Sequence, residues 1–231
     1  MFLASFPAGP WQANCYLLAT RAGGECLIVD PGMQAVDGVT DLVDKHALRP
    51  TGILLTHGHF DHVASASALA DAYGVPCWIH ADDRVLLSDP AQGLSPELAS
   101  MVAPLVAATS WAEPANLRLL ADGDVVEAAG LSVAVTHAPG HRPGCVMFGV
   151  DYPGHAEIDR VVFTGDVLFA GSIGRTDLPG GDAEAMNETL RRRVRTLPPT
   201  AAILPGHGPQ SVMARELATN PYLQDDYLRT R

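Results

Sequence analysis

The feature that most constrains this chain is the heptapeptide THGHFDH at residues 56–62. It follows the apolar run Ile53-Leu54-Leu55, so a buried strand is predicted to end in a turn crowded with imidazoles and a carboxylate. Polar groups crowded at a buried strand end are costly unless they have partners. A divalent cation, or a pair of them, is a natural partner for such side chains. The stretch therefore predicts a metal site with the candidate ligands His57, His59, Asp61 and His62.

Composition and charge narrow the class of protein. Of the 231 residues, 47% are hydrophobic, which is ample for a sizeable core and predicts one domain over residues 1–231. The formal net charge of -11 disfavours binding to nucleic acid or to anionic membranes, because no large basic patch is present to neutralise phosphates. The cluster at Arg191–Arg195 is better interpreted as the solvated face of a helix near its C-terminus.

Cysteine usage and the absence of targeting segments indicate a cytoplasmic protein. The four cysteines form no CxxC pair and lie in or beside apolar runs, so they are predicted to be buried, free thiols in a reducing compartment. The N-terminus has neither the basic start nor the long apolar segment of a signal peptide. The longest uncharged stretch, residues 98–112, is too short to span a bilayer, which takes ~20 residues.

The order of predicted elements favours an α/β domain with helices covering mixed sheets. Residues 89–116 are the least regular part, and we expect a short helix there, packed on the core within a long connection. A lid or a homodimer surface is the alternative for residues 98–112. Strands are predicted at 15–19, 26–29, 51–55, 77–80, 125–128, 131–136, 145–150, 161–164 and 201–204, and helices at 39–46, 63–73, 183–196 and 212–218.

Three more candidate ligands occupy the same kind of position further along the chain. His141, Asp166 and His207 each come shortly after a predicted strand and each lie next to glycine, which lets the backbone pack close to an ion. Side chains at strand ends of layered α/β folds are common positions for catalytic sites. His137, four residues before His141, is predicted to be a hydrogen-bonded residue at a strand end, with contact to a metal ligand as the alternative.

The motif HxHxDH at residues 57–62, followed in order by His141, Asp166 and His207, resembles the metallo-β-lactamase superfamily over nearly the whole chain. The resemblance implies an αββα four-layer sandwich. It also implies two divalent metal ions, with zinc expected and iron or manganese as alternatives. One ion would be held by His57, His59 and His141, the other by Asp61, His62 and His207, and Asp166 would bridge the two.

Within that superfamily, residues 164–177 resemble the short glyoxalase II-like thioester hydrolases. The resemblance implies a small-molecule thioester substrate, a metal-bridging hydroxide as nucleophile and Asp61 as a catalytic residue that accepts a proton. Arg175 is the candidate for binding a substrate carboxylate, and a structural ion pair with Asp177 or Asp182 is the alternative. Zinc β-lactamases are disfavoured, because they carry cysteine in place of Asp166 or lack the bridging carboxylate, and because they are exported.

Two other functions stay open. Related persulfide dioxygenases share a similar Gly-Arg-Thr-Asp stretch and use a single iron, whose ligands are best matched here by His57, His141 and Asp166. A non-catalytic metal-binding module is the alternative of another class. Because only 24 residues follow His207, we expect the short type that lacks the glutathione-contacting C-terminal extension. Another low-molecular-weight thiol is therefore an alternative to glutathione.

Overall fold

The computed structural model describes residues 1–229. Its strands are β1 (Phe2–Ala8), β2 (Ala13–Ala19), β3 (Glu25–Val29), β4 (Arg49–Leu54), β5 (Cys77–His80), β6 (Leu117–Leu120), β7 (Val125–Ala128), β8 (Leu131–His137), β9 (Val146–Asp151), β10 (Arg160–Gly165), β11 (Leu168–Phe169), β12 (Ser172–Ile173), β13 (Ala201–Pro205) and β14 (Ser211–Val212). Its α-helices are α1 (Ala35–Lys45), α2 (Phe60–Val63), α3 (Ala66–Tyr73), α4 (Pro96–Ala107), α5 (Ala183–Thr189), α6 (Met213–Thr219) and α7 (Asp225–Arg229).

Two six-stranded sheets form the centre of the molecule. The first has the strand order β1-β2-β3-β4-β5-β6, and the second has the order β14-β13-β10-β9-β8-β7. Strands β3 to β6 run parallel to one another, as do β10 and β13. The parallel strands direct their carboxyl ends to a shared edge, where the connecting loops can meet.

Alternation of buried side chains along the strands explains how the sheets stack. In β2, Cys15 and Leu17 pack with α1 and α3 on one face, whereas Tyr16 and Leu18 face the core between the two sheets. In β10, Val162 faces the opposite way from its neighbours and packs with α5 and α6. Because strands buried on both faces need a cover on each side, helices lie outside both sheets. The result is the predicted αββα four-layer sandwich.

Most predicted elements are confirmed, with shifts of a few residues at their ends. The predicted helix over 183–196 consists of α5 followed by a π-helical turn, Leu190–Val194. The predicted helix over 63–73 is broken between α2 and α3. The two-residue strands β11, β12 and β14 were not predicted, and neither were β1 and β6. The latter two lie at the edges of the first sheet, where partial exposure weakens the alternating pattern that identifies a strand.

The long connection at 89–116 contains the helix that the sequence predicts, namely α4. Ser95 caps this helix by accepting a hydrogen bond from the amide of Leu98 at 3.3 Å. Val102 is the helix's fully buried residue, and it packs with Met33 and Phe60 in a small cluster beside the sandwich. None of the helices within residues 1–229 has the length and apolar character needed to cross a bilayer.

Candidate metal centre

Seven side chains converge where strands β4, β8, β10 and β13 end. The ligand atoms of His57, His59 and His141 all lie within 4.8 Å of one another, and the same is true of Asp61, His62 and His207. These two triads are the two sets that the family resemblance assigns to separate ions. Loops from both sheets contribute to them, so the centre exists only when the sandwich is assembled.

Asp166 lies between the two triads. Its Oδ1 atom is 3.5 Å from His62 Nε2, and its Oδ2 atom is 3.6 Å from both His141 Nε2 and His207 Nε2. One carboxylate therefore faces imidazoles of both groups. Two dications held at ~3.5–4 Å repel each other strongly, and an anionic group between them reduces that repulsion. The position of Asp166 suits this task.

Hydrogen bonds outside the cluster fix the orientation of two imidazoles. The Nδ1 atom of His62 lies 3.2 Å from Oδ2 of Asp30, and Nδ1 of His141 lies 2.7 Å from the carbonyl oxygen of Arg175. A ring that donates from Nδ1 keeps its Nε2 lone pair free, and outer partners of this kind are usual for metal-binding histidines. Both Nε2 atoms point toward Asp166.

Asp30 is a functional residue that the sequence reasoning missed. Its buried carboxylate also accepts hydrogen bonds from the Thr56 amide at 2.8 Å and the Thr56 hydroxyl at 2.6 Å. Thr56 Oγ1 in turn contacts His57 Nδ1 at 3.1 Å. Asp30 has a φ of 50°, which is uncommon outside glycine. An acidic residue in Asp-Pro-Gly directly after the apolar strand β3 was the signal available for it.

Several buried polar atoms of the centre lack a hydrogen-bond partner within the described chain. They are His57 Nε2, His59 Nε2 and Asp166 Oδ1. In addition, His59 Nδ1 and His141 Nε2 face each other at 2.8 Å. Orphaned buried polar atoms are rare in native proteins and call for an explanation such as an absent ion. Together with a donor set of nitrogen and oxygen atoms, they fit divalent transition metal ions.

Two histidines of the first triad, His57 and His59, are held in the neutral form that metal binding requires. Burial, with His62 as the next cause, lowers the pKa of His57 well below its usual value. Burial and the neighbouring His141 do the same to the pKa of His59. A histidine must be unprotonated to bind a metal. Because these two side chains are already neutral at neutral pH, they lose no proton when a metal binds.

Carboxylates dominate the electrostatics of the second triad. Burial opposes charge on His62, but Asp166, Asp61 and Asp30 outweigh it and raise the pKa of His62 to about 10. Burial likewise pushes the pKa of Asp61 upward, yet His62 and His207 overcome it and leave that pKa well below the usual range. In the metal-free protein, a proton on His62 therefore neutralises part of the negative charge of these carboxylates, as a bound cation would.

A second buried carboxylate, Asp83, fixes the loops that carry the first triad. It accepts hydrogen bonds from the Gly58 amide at 2.8 Å and the Gly144 amide at 3.2 Å, and it pairs with Arg142 at 3.2 Å. Asp83 is fully buried and Arg142 is nearly so. This pair joins the 56–62 turn to the loop that contains His141. No local pattern of residues indicates this pair, because the partners are distant along the chain.

The turn that carries His207 is pinned to the first sheet and needs a glycine. The Asn14 side-chain amide donates to the carbonyl oxygens of Pro205 at 3.0 Å and Gly208 at 2.9 Å. At Gly206, an added Cβ would lie 2.2 Å from Asp166 Oδ1 and 2.7 Å from His62 Cε1. The backbone therefore passes too close to the centre for any side chain at this position.

Another group of possible ligands, His80, Asp82 and His137, has a different geometry. The imidazoles of His80 and His137 stack at 4.3 Å with an interplanar angle of 5°, whereas the rings of the first triad meet at 80° to 83°. Because an imidazole lone pair lies in the plane of its ring, stacked rings cannot share an ion. His137 Nε2 donates to the Pro143 carbonyl at 2.7 Å, which confirms the hydrogen-bonded strand-end interpretation.

A cavity of about 410 Å³ opens onto the centre. Arg175 lies at this cavity and forms a bidentate pair with Asp177, with distances of 2.6 Å and 2.8 Å. The pair is largely exposed, and Arg175 lowers the pKa of Asp177 to about 2. The ion pair with Asp177, which is the structural alternative for Arg175, is therefore present. The Arg175 side chain is nevertheless exposed to a ligand in the cavity. The cavity is lined by Trp11, His59, Phe60, Asp61, Leu94, Leu98, His141, Asp166, Phe169, Ile173, Gly174, Arg175, Leu178 and His207.

Comparison with known proteins places this geometry in a family. The family profile of the metallo-β-lactamase superfamily matches residues 8–207. An uncharacterized protein of Mycobacterium tuberculosis is 40% identical over 225 residues, which is 97% of this chain and 98% of that protein. The hydroxyacylglutathione hydrolase GloC of Haemophilus influenzae is 32% identical, over 96% of this chain and 98% of that one. The probable metallo-hydrolase YqgX of Bacillus subtilis is 33% identical, over 94% and 95%.

Solved structures agree with the sequence relatives. The B3 metallo-β-lactamase BLEG-1 superposes with a TM-score of 0.81 at 35% identity, and TTHA1623 in a di-iron-bound form superposes with a TM-score of 0.74 at 34% identity. Each match covers 96% of this chain and 100% of the other. ETHE1 from Myxococcus xanthus shares the fold, with a TM-score of 0.75 at 23% identity, over 99% of this chain and 89% of that one. On the profile, the relatives and the fold, this chain belongs to the metallo-β-lactamase superfamily.

Proposed function

We propose that this protein is a dinuclear metal-dependent hydrolase that cleaves a small-molecule thioester. The observation that carries the proposal is Asp166, whose two carboxylate oxygens face the imidazoles of both triads. His57, His59 and His141 would hold one divalent ion, and Asp61, His62 and His207 the other. Zinc is the expected metal, with iron and manganese as alternatives. Such ions act as Lewis acids and lower the pKa of bound water to ~7.

The residues of the chain have separate tasks in this proposal. His62 and His141 are oriented by Asp30 and the Arg175 carbonyl, so the directions of their Nε2 atoms are fixed before a ligand arrives. Asp61, whose Oδ2 atom lies 3.3 Å from His207 Nε2, is the candidate proton acceptor for a water molecule at the centre. Arg175, at the mouth of the cavity, is the candidate to bind an anionic group of the substrate.

The choice of a thioester has support from relatives. GloC, the relative from Haemophilus influenzae, is named for hydrolysis of a glutathione thioester and is similar over nearly its whole length. A second candidate activity is β-lactam hydrolysis, because BLEG-1 is described as a B3 metallo-β-lactamase at 35% identity. Persulfide oxidation at one iron bound by His57, His141 and Asp166 stays a prediction, since the similarity to ETHE1 concerns the fold alone. The non-catalytic module also stays a prediction.

Metal analysis combined with a substrate panel tests the proposal. The purified protein would be assayed for metal content and then for hydrolysis of acyl thioesters and of a chromogenic cephalosporin, and for oxygen uptake on a persulfide. We expect two metal ions per chain and thioester turnover. One iron with oxygen uptake would instead identify a dioxygenase, and β-lactam turnover that exceeds thioester turnover would identify a β-lactamase. Metal content without any turnover would favour the binding module.

The expected partners follow from the same proposal. The substrate would be a small molecule, and neither nucleic acid nor a membrane is expected as a partner, given the net charge of -11. A homodimer remains an alternative that a measurement of mass in solution would decide.

A further inference from the structure

We propose that the substrate carries apolar groups on both sides of its scissile bond and at most one anionic group. This inference rests on the proposed thioester hydrolysis and specifies the class of thioester. It concerns two apolar surfaces of the cavity. The first wall consists of Trp11, Phe60, Leu94 and Leu98, and the second wall consists of Phe169, Ile173 and Leu178.

The first wall lies on the side of the centre that holds His59. Trp11 packs edge-on against Phe60, with ring centroids 4.9 Å apart and an angle of 82°. The turn before Leu94 approaches the imidazole closely, since a Cβ added at Gly93 would lie 3.1 Å from His59 Cδ2. Phe60 and Leu94 are buried, whereas Trp11 and Leu98 are half-buried and offer apolar area to a ligand.

Phe169, in the second wall, lies on the side of the centre that holds His207. It contacts this imidazole edge-on, with centroids 6.2 Å apart and an angle of 87°. Ile173 and Leu178 are half-buried residues of the segment that contains Arg175, whose carbonyl oxygen contacts His141. A thioester whose carbonyl lies across the two triads would extend its acyl group toward one wall and its thiol group toward the other. Each half of the molecule would then meet apolar side chains.

The charged side chains of the cavity also favour a substrate with at most one anionic group. Among the cavity-lining residues, all of which fall in the described part of the chain, Arg175 is the single guanidinium, and no ammonium group accompanies it. That guanidinium already forms two hydrogen bonds to Asp177. A glutathione group has two carboxylates and an ammonium group, so burying it here would leave charges without partners. One carboxylate at the mouth is the most that Arg175 can bind.

A series of acyl thioesters of N-acetylcysteamine, an uncharged thiol, tests the inference on the unmodified protein. We expect kcat/KM to rise roughly fourfold per methylene from acetyl to hexanoyl, as burial of apolar groups predicts. S-lactoylglutathione should be at least roughly tenfold poorer than the butanoyl thioester, by the cost of unpaired charge. A flat series, or a preference for S-lactoylglutathione, would overturn the inference while leaving thioester hydrolysis intact. Turnover of none of these thioesters would overturn the proposed function itself.

Variants test whether the first wall causes the dependence of kcat/KM on acyl chain length. Leu98→Ala should lower kcat/KM for the hexanoyl thioester several-fold more than for the acetyl thioester. Leu119→Ala, at an exposed leucine of β6 that does not line the cavity, is the matched control and should leave the series unchanged. An equal loss across the series for Leu98→Ala would place the apolar group elsewhere and would contradict the first wall.

Arg175→Gln separates the anionic group from the apolar ones. We expect this variant to raise KM for a thioester that carries a terminal carboxylate by a larger factor than it raises KM for the uncharged series. Arg84→Gln is the matched control, because Arg84 forms a bidentate pair of the same kind with Glu113, at 2.7 Å and 2.8 Å, outside the cavity. An equal rise in KM for charged and uncharged substrates in Arg175→Gln would contradict the assignment.

Discussion

Asp30 Oδ2 lies 3.2 Å from His62 Nδ1, and this contact joins a buried carboxylate at the end of β3 to an imidazole of the metal centre. The same carboxylate binds the amide and hydroxyl groups of Thr56, at the start of the THGHFDH turn. Asp30 therefore orients the turn and one of its ligands together. A carboxylate in this position also raises the basicity of the imidazole that it holds.

Replacing Asp30 with asparagine should weaken binding at the second triad. The neutral amide loses the charge that supports His62, so we expect affinity for the ion at the second triad to fall roughly 10- to 100-fold. Calorimetric titration of the metal-free protein with zinc measures this directly. Asp41→Asn, at an exposed position on α1, is the control and should bind both ions normally. Unchanged affinity in Asp30→Asn would show that Asp30 supports only the backbone.

Asp166→Ala should remove both activity and one equivalent of metal. The substitution removes the carboxylate that faces both triads and leaves the two ions to repel each other without a carboxylate between them. Metal content after dialysis and turnover of the best thioester are the measurements. A variant with two ions per chain and a normal rate would exclude Asp166 as the bridging ligand. Asp124→Asn, at an exposed turn, is a suitable control for handling and folding.

Asp83→Asn should destabilise the fold because it leaves Arg142 charged, buried and without its anionic partner. Removing one partner of a buried ion pair typically costs about 3–5 kcal/mol. Urea unfolding of the metal-loaded protein, followed by far-ultraviolet circular dichroism, measures the loss. A change of less than about 1 kcal/mol would be within the range of an exposed pair and would contradict the assigned role.

A double variant tests whether the loss comes from the unpaired charge. Arg142→Met in combination with Asp83→Asn removes the charge that the single variant leaves behind. We expect the double variant to be more stable than Asp83→Asn alone, since replacing both members of a buried pair with neutral groups is often tolerated. Equal or lower stability of the double variant would show that the hydrogen bonds of Asp83 to Gly58 and Gly144 carry the effect instead.

The metal-free protein should be most stable near pH 6.5. The pKa values of His57 and His59 lie below the usual 6.5, so the unfolded chain binds more protons in acid and stability rises as pH increases toward 6.5. The pKa of His62 is raised to about 10. The stabilisation that protonated His62 contributes is complete below pH 6.5 and is lost as pH rises through about 10. Stability should therefore decline again above 6.5.

Urea unfolding midpoints of chelator-treated protein between about pH 5 and about pH 10 measure this curve. Metal-loaded protein should lack the decline on the alkaline side, because its histidines are already unprotonated. His62→Gln should remove most of that decline in the metal-free protein. His155→Gln, at an exposed loop position, should retain it. A midpoint that keeps rising above pH 7 in the metal-free protein would contradict the assignment of a proton to His62.

The sequence by itself determined the layered fold and the group of seven candidate ligands. Strands buried on both faces are recognisable in the sequence as apolar runs. The candidate ligands follow such runs within a few residues and lie next to glycine. These are local signals, so they can be read along the chain. The order His57, His59, Asp61, His62, His141, Asp166 and His207 then connected the local signals to one superfamily.

The tertiary structure alone decided which residues support the centre. Asp30 and His62 are 32 residues apart, and Asp83 and Gly144 are 61 apart, so no local pattern joins them. Their contacts arise because loops from two sheets meet at one edge, where buried polar groups must find partners across the sandwich. The apolar walls beside His59 and His207 arise in the same way. They consist of side chains from several separate segments of the chain, and only the packing of the sheets brings those segments to one cavity.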